Sequence, residues 1–258
     1  MEFEQIELFG IAFSNITFEE VRRLVSERIR DRQPGFAVTP NVDHVCLRQR
    51  NPEFRAAYDS ASLVLADGMP ILWASRLLGK PLCEKLSGSD LVPLLCEYAA
   101  DHGYSVFLFG GGAEIPGQAA DALVARHPSL KIAGTYSPPM HFERDPDLDA
   151  EAVRRVREAN PDICFVAMGS PRQEIWLHRH FEDAGVPMMM GIGASLDFVA
   201  GRVRRAPRWM QRSGLEWAWR IALEPRRLWR RYLVDDLLFF KLLWQEFRSS
   251  RFGRKNEA

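Results

Sequence analysis

Cysteine is scarce in this 258-residue chain, which has four, Cys46, Cys83, Cys96 and Cys164, and no C-x-x-C spacing. Neither a disulfide framework nor a zinc site is indicated, and because each lies in or beside an apolar stretch, all are expected to be buried free thiols. No apolar run approaches the roughly 20 residues of a membrane span. The N-terminus MEFEQIELFG has acidic residues where a secretion signal has basic ones, so a cytoplasmic, reducing location is expected. Net charge is missing too: Lys+Arg 34 against Asp+Glu 34 removes bulk basicity as a reason to expect nucleic acid. The dinucleotide fingerprint G-x-G-x-x-G and the Walker A motif are absent, since counting from Gly110 puts Ile115 where the third glycine would fall. The six histidines form no H-E-x-x-H, and metal binding has no positive support.

What the chain does contain suffices for a sizeable core, with 47% hydrophobic and 26% charged residues. Short runs rich in β-formers alternate with longer helix-patterned stretches, which argues for an α/β fold with a mainly parallel sheet flanked by helices. Strands are expected at Glu7–Phe13, Phe36–Val38, Leu63–Ala66, Ser105–Phe109, Lys131–Thr135, Ile163–Ala167 and Pro187–Gly191. The first helix is expected to start at Thr17, whose spacing to Glu20 is that of a capping box. Further helices are expected near Val42–Arg50, Met69–Leu78, Ser89–His102, Pro116–Arg126, Asp147–Asn160 and Arg172–Asp183. The alternation stops near Gly201, so residues 1–201 read as one domain and residues 202–258 as a helical C-terminal appendage.

Charge is segregated along the chain. Residues 202–258 hold 15 Lys/Arg against 6 Asp/Glu, a balance of +9 that leaves −9 for residues 1–201. The same tail has five of the seven tryptophans, Trp209, Trp217, Trp219, Trp229 and Trp244, so an anionic partner is expected at this end. Leu233, Leu237, Phe240, Trp244 and Phe247 recur at helical spacing on one face, with Asp235, Asp236, Gln245 and Glu246 on the other. That apolar face can pack on the main domain, or lie in a membrane interface while arginines attract anionic lipid. Periodicity leaves both open.

Ligands of an open parallel sheet bind at the carboxyl ends of its strands. Three such ends place turn residues beside a group able to move a proton: Thr39-Pro40-Asn41, Asp67-Gly68, and Met168 through Glu174. Asp67, between an apolar strand and a glycine, can be partly desolvated and poised as a general base, or it can cap a helix starting at Met69. A turn and a helix start also account for Thr39 and Asn41, and the polar first turn of a helix after Pro171 accounts for Gln173 and Glu174. Gly110-Gly111-Gly112 either brings backbone N–H groups to a phosphate or is a plain tight turn. Asp145, Asp147 and Asp149 have D-x-D spacing, but an acidic cluster at the start of a helix explains them better than a cation site does. Arg220, Arg227 and Arg230 or Arg231 would share one face of a continuous helix, suited to phosphate oxygens or simply solvated.

Taken in order, several stretches resemble the WecG/TagA/CpsF family of bacterial glycosyltransferases over nearly the whole chain. They are Thr39-Pro40-Asn41, Ala66-Asp67-Gly68-Met69-Pro70, Lys85 through Leu91, Gly169 through Glu174, Gly191 through Asp197, Arg205-Ala206-Pro207, Gly214 through Trp217, and Glu224-Pro225-Arg226-Arg227 through Tyr232. The resemblance implies a Rossmann-like core with a helical C-terminal appendage. It implies inverting transfer of a sugar (N-acetylmannosamine, its uronic acid or glucose) from a UDP-sugar to a polyprenyl-diphosphate-linked saccharide, with no metal or other cofactor. The place would be the inner face of the cell membrane, where the basic tail meets anionic lipid; self-association is open to the family, and the sequence sets no subunit number. Carried over by position, Asp67 would be the general base, and Thr39, Asn41 and Gln173 would line the catalytic pocket. Asp197 and Tyr136 would hold the uridine, and Arg220, Arg227 and Arg230 the diphosphate. Lys85 stands where an arginine is usual, keeping the charge for a phosphate but not the bidentate fork. Two other classes remain as rivals: a nucleotide-dependent oxidoreductase or methyltransferase using the Gly110–Gly112 turn, and a membrane-binding module without catalysis.

Overall fold

The computed structural model describes residues 3–223, 225–226 and 237–253. Parallel strands need long crossovers between them, and the helices foreseen in the sequence supply these. Six strands form one all-parallel sheet: β3 (Phe36–Val38), β4 (Leu63–Val64), β5 (Ser105–Gly110), β6 (Lys131–Tyr136), β7 (Ile163–Ala167) and β8 (Met188–Gly191). Their order is β4-β3-β8-β7-β5-β6. Successive side chains of a strand alternate between the two faces, and both faces are buried. Phe107, Phe109, Cys164 and Val166 thus join one core cluster, while Val106, Leu108, Ile163 and Phe165 join the other.

Helices α1 (Phe18–Asp31), α5 (Gly88–His102), α6 (Ile115–Arg126), α7 (Pro146–Ala159) and α8 (Arg172–Ala184) cover these faces. The capping box at the start of α1 is formed: the Thr17 hydroxyl accepts from the Glu20 N–H, and the Glu20 carboxylate accepts from the Thr17 N–H at 2.8 Å. On the far side of the sheet Phe109 stacks on the buried Trp176 at 4.7 Å between ring centroids.

The expected strand Glu7–Phe13 is instead a hairpin of two antiparallel strands, β1 (Gln5–Leu8) and β2 (Ile11–Ser14). Its turn is Phe9-Gly10, with both residues at positive φ (57° and 72°), as a two-residue hairpin turn with the twist of its strands requires. The Ser14 hydroxyl accepts from the Val64 N–H at 3.0 Å and so covers the edge strand β4. The expected helix Val42–Arg50 ends early as α2 (Val42–Arg48), and a further helix α3 (Pro52–Ser60) follows, capped by Asn51, whose side chain accepts from the Phe54 N–H at 3.0 Å. Of the cysteines, Cys46, Cys96 and Cys164 are buried, but Cys83 is exposed, because it lies in the connection between α4 (Met69–Leu77) and α5, outside either core cluster.

After β8 come the short helices α9 (Ser195–Val199), α10 (Arg208–Arg212), α11 (Glu216–Leu223) and the longer α12 (Leu237–Gly253). Helix α12 docks through a face rotated from the one its periodicity suggested, with Phe247 common to both. Phe239 is buried against Phe9, with ring centroids 5.1 Å apart, and Leu242, Leu243 and Phe247 pack beside it. The Glu246 carboxylate accepts from the Phe9 N–H at 2.7 Å, satisfying a donor that the hairpin turn leaves unpaired. Leu237, Phe240 and Trp244 consequently face outward, each more than half exposed. Leu233, Asp235, Asp236 and Trp229 lie outside the described residues.

Candidate active site

A cavity of about 990 Å³ opens at the carboxyl ends of the sheet, and the segment following every one of its six strands contributes to the wall. Thr39 and Asn41 come from the end of β3, Asp67 from β4, Gly110–Gly112 from β5, Ser137 from β6, Met168–Ser170 from β7 and Ile192–Ser195 from β8. The first residues of α5 and α8 also line it, which sets the positive ends of two helix dipoles at the space. Such a wall favours an anionic ligand. The triple-glycine turn is both tight and cavity-lining: Gly110 has φ +90°, a Cβ there would stand 2.6 Å from the Ala167 carbonyl oxygen, and that oxygen accepts from the Gly111 N–H at 2.7 Å.

Asp67 stands where this cavity meets a smaller one of about 120 Å³, lined also by Lys85, Met69, Pro70 and Trp217. Gly68, at φ 92°, takes the N-cap position of α4 with no side-chain cap, so Asp67 is not a capping residue. Its backbone is fixed by the N–H donating to the Pro40 carbonyl at 3.0 Å. Burial pushes its carboxyl up to about 6; Lys85 and Arg220 oppose that rise, while Glu216 and Asp90 add to it. A carboxyl of that strength is ionised at neutral pH and basic enough to take a proton.

The structure brings most of the other candidate residues to the same cavity. Asn41 caps α2, its side chain accepting from the His44 N–H at 3.3 Å, and it lines both cavities. The buried Thr39 hydroxyl donates to the Gly191 carbonyl at 3.4 Å. Gln173 and Glu174 do stand in the first turn of α8, but buried rather than solvated: the Gln173 amide donates to Glu174 at 2.7 Å and accepts from the Gly193 N–H at 3.0 Å. Asp197 and Arg220 line the large cavity, with the Arg220 guanidinium over the Phe198 ring at 5.3 Å. Lys85 lines the small cavity and is paired with Asp90. Tyr136 ends β6 but lines neither cavity: its ring packs against Phe109 and lies under the Arg155 guanidinium at 4.4 Å, and the next residue, Ser137, is the one that lines the large cavity. Arg227 and Arg230, with Arg231 and Tyr232, lie outside the described residues.

The pairings made by residues of the quoted stretches escaped the sequence reading. Asp90 is bridged by both Lys85 and Arg205, and Arg205 approaches Glu216 at 3.9 Å, which ties the start of α5 to α11. Arg172 makes a two-pronged pair with Glu143 at 2.7 Å for each bond, fastening the 137–142 wall to α8. Pairs such as Asp90 with Arg205, 115 residues apart, leave no spacing to read. The D-x-D cluster is spent on structure: Asp145 caps α7, and Asp149 accepts from the Trp176 indole at 2.8 Å. Among the described residues no three His, Cys, Asp or Glu side chains group as a metal ion would need.

A parallel α/β sheet with a ligand cleft at its strand ends, a desolvated acid inside and helix N-termini around it has the architecture of an enzyme acting on an anionic substrate. The chain belongs to the glycosyl transferase WecG/TagA/CpsF family, whose model matches residues 6–253, and it is a glycosyltransferase. It is 30% identical over 213 residues to an N-acetylglucosaminyldiphosphoundecaprenol N-acetyl-beta-D-mannosaminyltransferase of Bacillus spizizenii, covering 83% of this chain and 80% of that one. A protein of the same name from Staphylococcus aureus is 29% identical over 229 residues, covering 88% and 87%.

Proposed function

We propose that the protein transfers a hexose, with N-acetylmannosamine the leading candidate, from a UDP-sugar to a polyprenyl-diphosphate-linked saccharide. The single observation that carries the mechanism is Asp67, a half-buried acid raised to about 6 at the junction of the two cavities. The names of the two relatives supply the acceptor class and the sugar.

In this reading Asp67 takes the proton from the acceptor hydroxyl as its oxygen attacks the anomeric carbon of the donor. The new C–O bond forms on the face opposite the leaving group, the bond to the β-phosphate breaks, and UDP departs with the bonding pair; one displacement inverts the anomeric centre. Helix N-termini and Arg220, joined by Arg227 and Arg230, stabilise the charge that grows on the diphosphate, so no metal enters the scheme. Thr39, Asn41 and Gln173 orient the reactants, Asp197 takes the uridine, and Lys85 meets a phosphate.

The acceptor is lipid-linked, so the reading places the protein on the inner face of the cell membrane. Among the described residues no helix is long and apolar enough to cross a membrane. The outward Leu237, Phe240 and Trp244 of α12 support interfacial contact, with nearby basic residues drawn to anionic lipid at ~1 kcal/mol each. The test is transfer from UDP-N-acetylmannosamine to a polyprenyl-diphosphate-linked N-acetylglucosamine, measured with and without chelator. Equal turnover in both with release of UDP is expected. No transfer from any UDP-sugar refutes the donor class, and loss in chelator refutes metal independence.

A further inference from the structure

We propose that Glu174 is a positioning residue of this site: its buried carboxyl holds the Gln173 side-chain amide in one orientation and so directs the amide's second N–H into the cavity. The inference rests on Gln173 belonging to the transferase site.

A primary amide has two donors on nitrogen and two lone pairs on oxygen. Gln173 commits one of each: Nε2 donates to Glu174 Oε1 at 2.7 Å, and Oε1 accepts from the Gly193 N–H at 3.0 Å. Rotating the amide by half a turn would set its NH2 against the Gly193 N–H whatever the protonation of Glu174, and its oxygen against the carboxylate when the acid is ionised. The amide also lies close against Gly191, where a Cβ would come within 3.1 Å of Nε2. The Gly191 carbonyl accepts from the Thr39 hydroxyl, so Thr39 and Gln173 are registered on one stretch of backbone. Gln173 lines the cavity, and its remaining N–H is the one left to meet a ligand there.

Glu174 lines neither cavity, being 0% exposed, and its Oε1 is the atom that holds the Gln173 amide. Asp43 from α2 and Tyr58 from α3 are the charged and titratable neighbours that interact with it, with Ser170 beside it. Burial pushes its carboxyl up to about 7. Burying an acid costs stability that an apolar side chain of similar size would not, and here burial outweighs the help of the Gln173 amide and Ser170. A fold selected for stability alone has no use for an acid here, whereas a site that must fix an amide does.

Four full-length variants test this by transfer kinetics and thermal unfolding: Glu174→Leu, Glu174→Gln, Gln173→Ala, and Gln173→Ala with Glu174→Leu. Glu174→Leu removes a buried acid but also the acceptor of the Gln173 N–H, so it is expected to unfold within a few degrees of wild type while kcat falls about tenfold or more and the donor KM stays within a few-fold. Glu174→Gln, whose carbonyl can accept the same hydrogen, recovers most of that loss. The double variant turns over like Gln173→Ala alone, within about twofold, because a residue acting through another adds nothing once that other is gone. Glu174→Asp, which keeps the charge but retracts the carboxyl, supplies the same comparison should Glu174→Leu not fold. Multiplicative losses in the double variant, a kcat loss that follows a lowered unfolding temperature, or wild-type kcat in Glu174→Leu beside an impaired Gln173→Ala would each overturn the proposal alone. Wild-type turnover by Gln173→Ala would overturn the site assignment beneath it as well.

Discussion

Replacing Asp67 by Asn should make the protein more stable as it makes it inactive, and the gain should depend on pH in a calculable way. In the fold the carboxyl titrates near 6, against an ordinary value of 3.8. The ionised form is therefore disfavoured by folding, so the stability Asp67 contributes is fully present below its unfolded value and is lost as pH rises through the folded one. Relative to a neutral side chain of the same shape, the cost is about 0.5 kcal/mol at pH 4, about 1.5 kcal/mol at pH 5 and about 3 kcal/mol at pH 7. For a chain of this size the last figure corresponds to a rise in unfolding temperature on the order of 5–10 °C. Denaturant unfolding of both proteins at pH 4, 5 and 7 measures the difference directly, since groups common to both cancel. An advantage of Asp67→Asn that is absent at pH 7, or equally large at pH 4, would refute the desolvated-acid assignment.

The rate profile should carry the same titration. kcat/KM is expected to fall about tenfold per pH unit below about 6, and Lys85→Met should move that limb to higher pH while Glu216→Gln moves it lower, because the lysine favours the ionised acid and the glutamate opposes it; a limb near pH 4, or one unmoved by both changes, argues for a different base. Gly110→Ala puts a methyl against the Ala167 carbonyl in a left-handed conformation, so it should destabilise by about 1–3 kcal/mol and weaken nucleotide binding, which unfolding and UDP titration would show. Phe240→Ser with Trp244→Ser alters exposed positions, so sedimentation with anionic vesicles should drop while the unfolding temperature holds; unchanged sedimentation removes the membrane role from this face.

The parallel sheet was legible because its strands are buried on both faces and therefore appear as short unbroken apolar runs, from Phe36–Val38 to Ile163–Ala167. The hairpin at Phe9-Gly10 was not, since a phenylalanine at φ 57° is a rare occupant of the left-handed region and an apolar run hides the reversal. Helix α12 has apolar residues on more than one face, so periodicity could not tell which one docks; the Glu246 bond to the Phe9 N–H decides it, across 237 residues. At the site, strand ends and turn residues pointed to Thr39, Asn41, Asp67 and Gln173, because chemistry at a parallel sheet is confined to one edge. The resemblance, not the local pattern, turned Asp67 from a helix cap into a base. The Lys85–Asp90–Arg205 bridge and the Glu174 carboxyl needed three dimensions, for pairing and burial at such positions leave no trace in spacing.

The most direct test of the central claim pairs two measurements on Asp67→Asn: UDP affinity by calorimetry and sugar transfer to a polyprenyl-diphosphate-linked acceptor. A lost general base should lower turnover by about 10²–10⁴-fold while UDP binds within a few-fold of wild type. Wild-type turnover by a variant that binds UDP normally would contradict the assignment of Asp67 as the base.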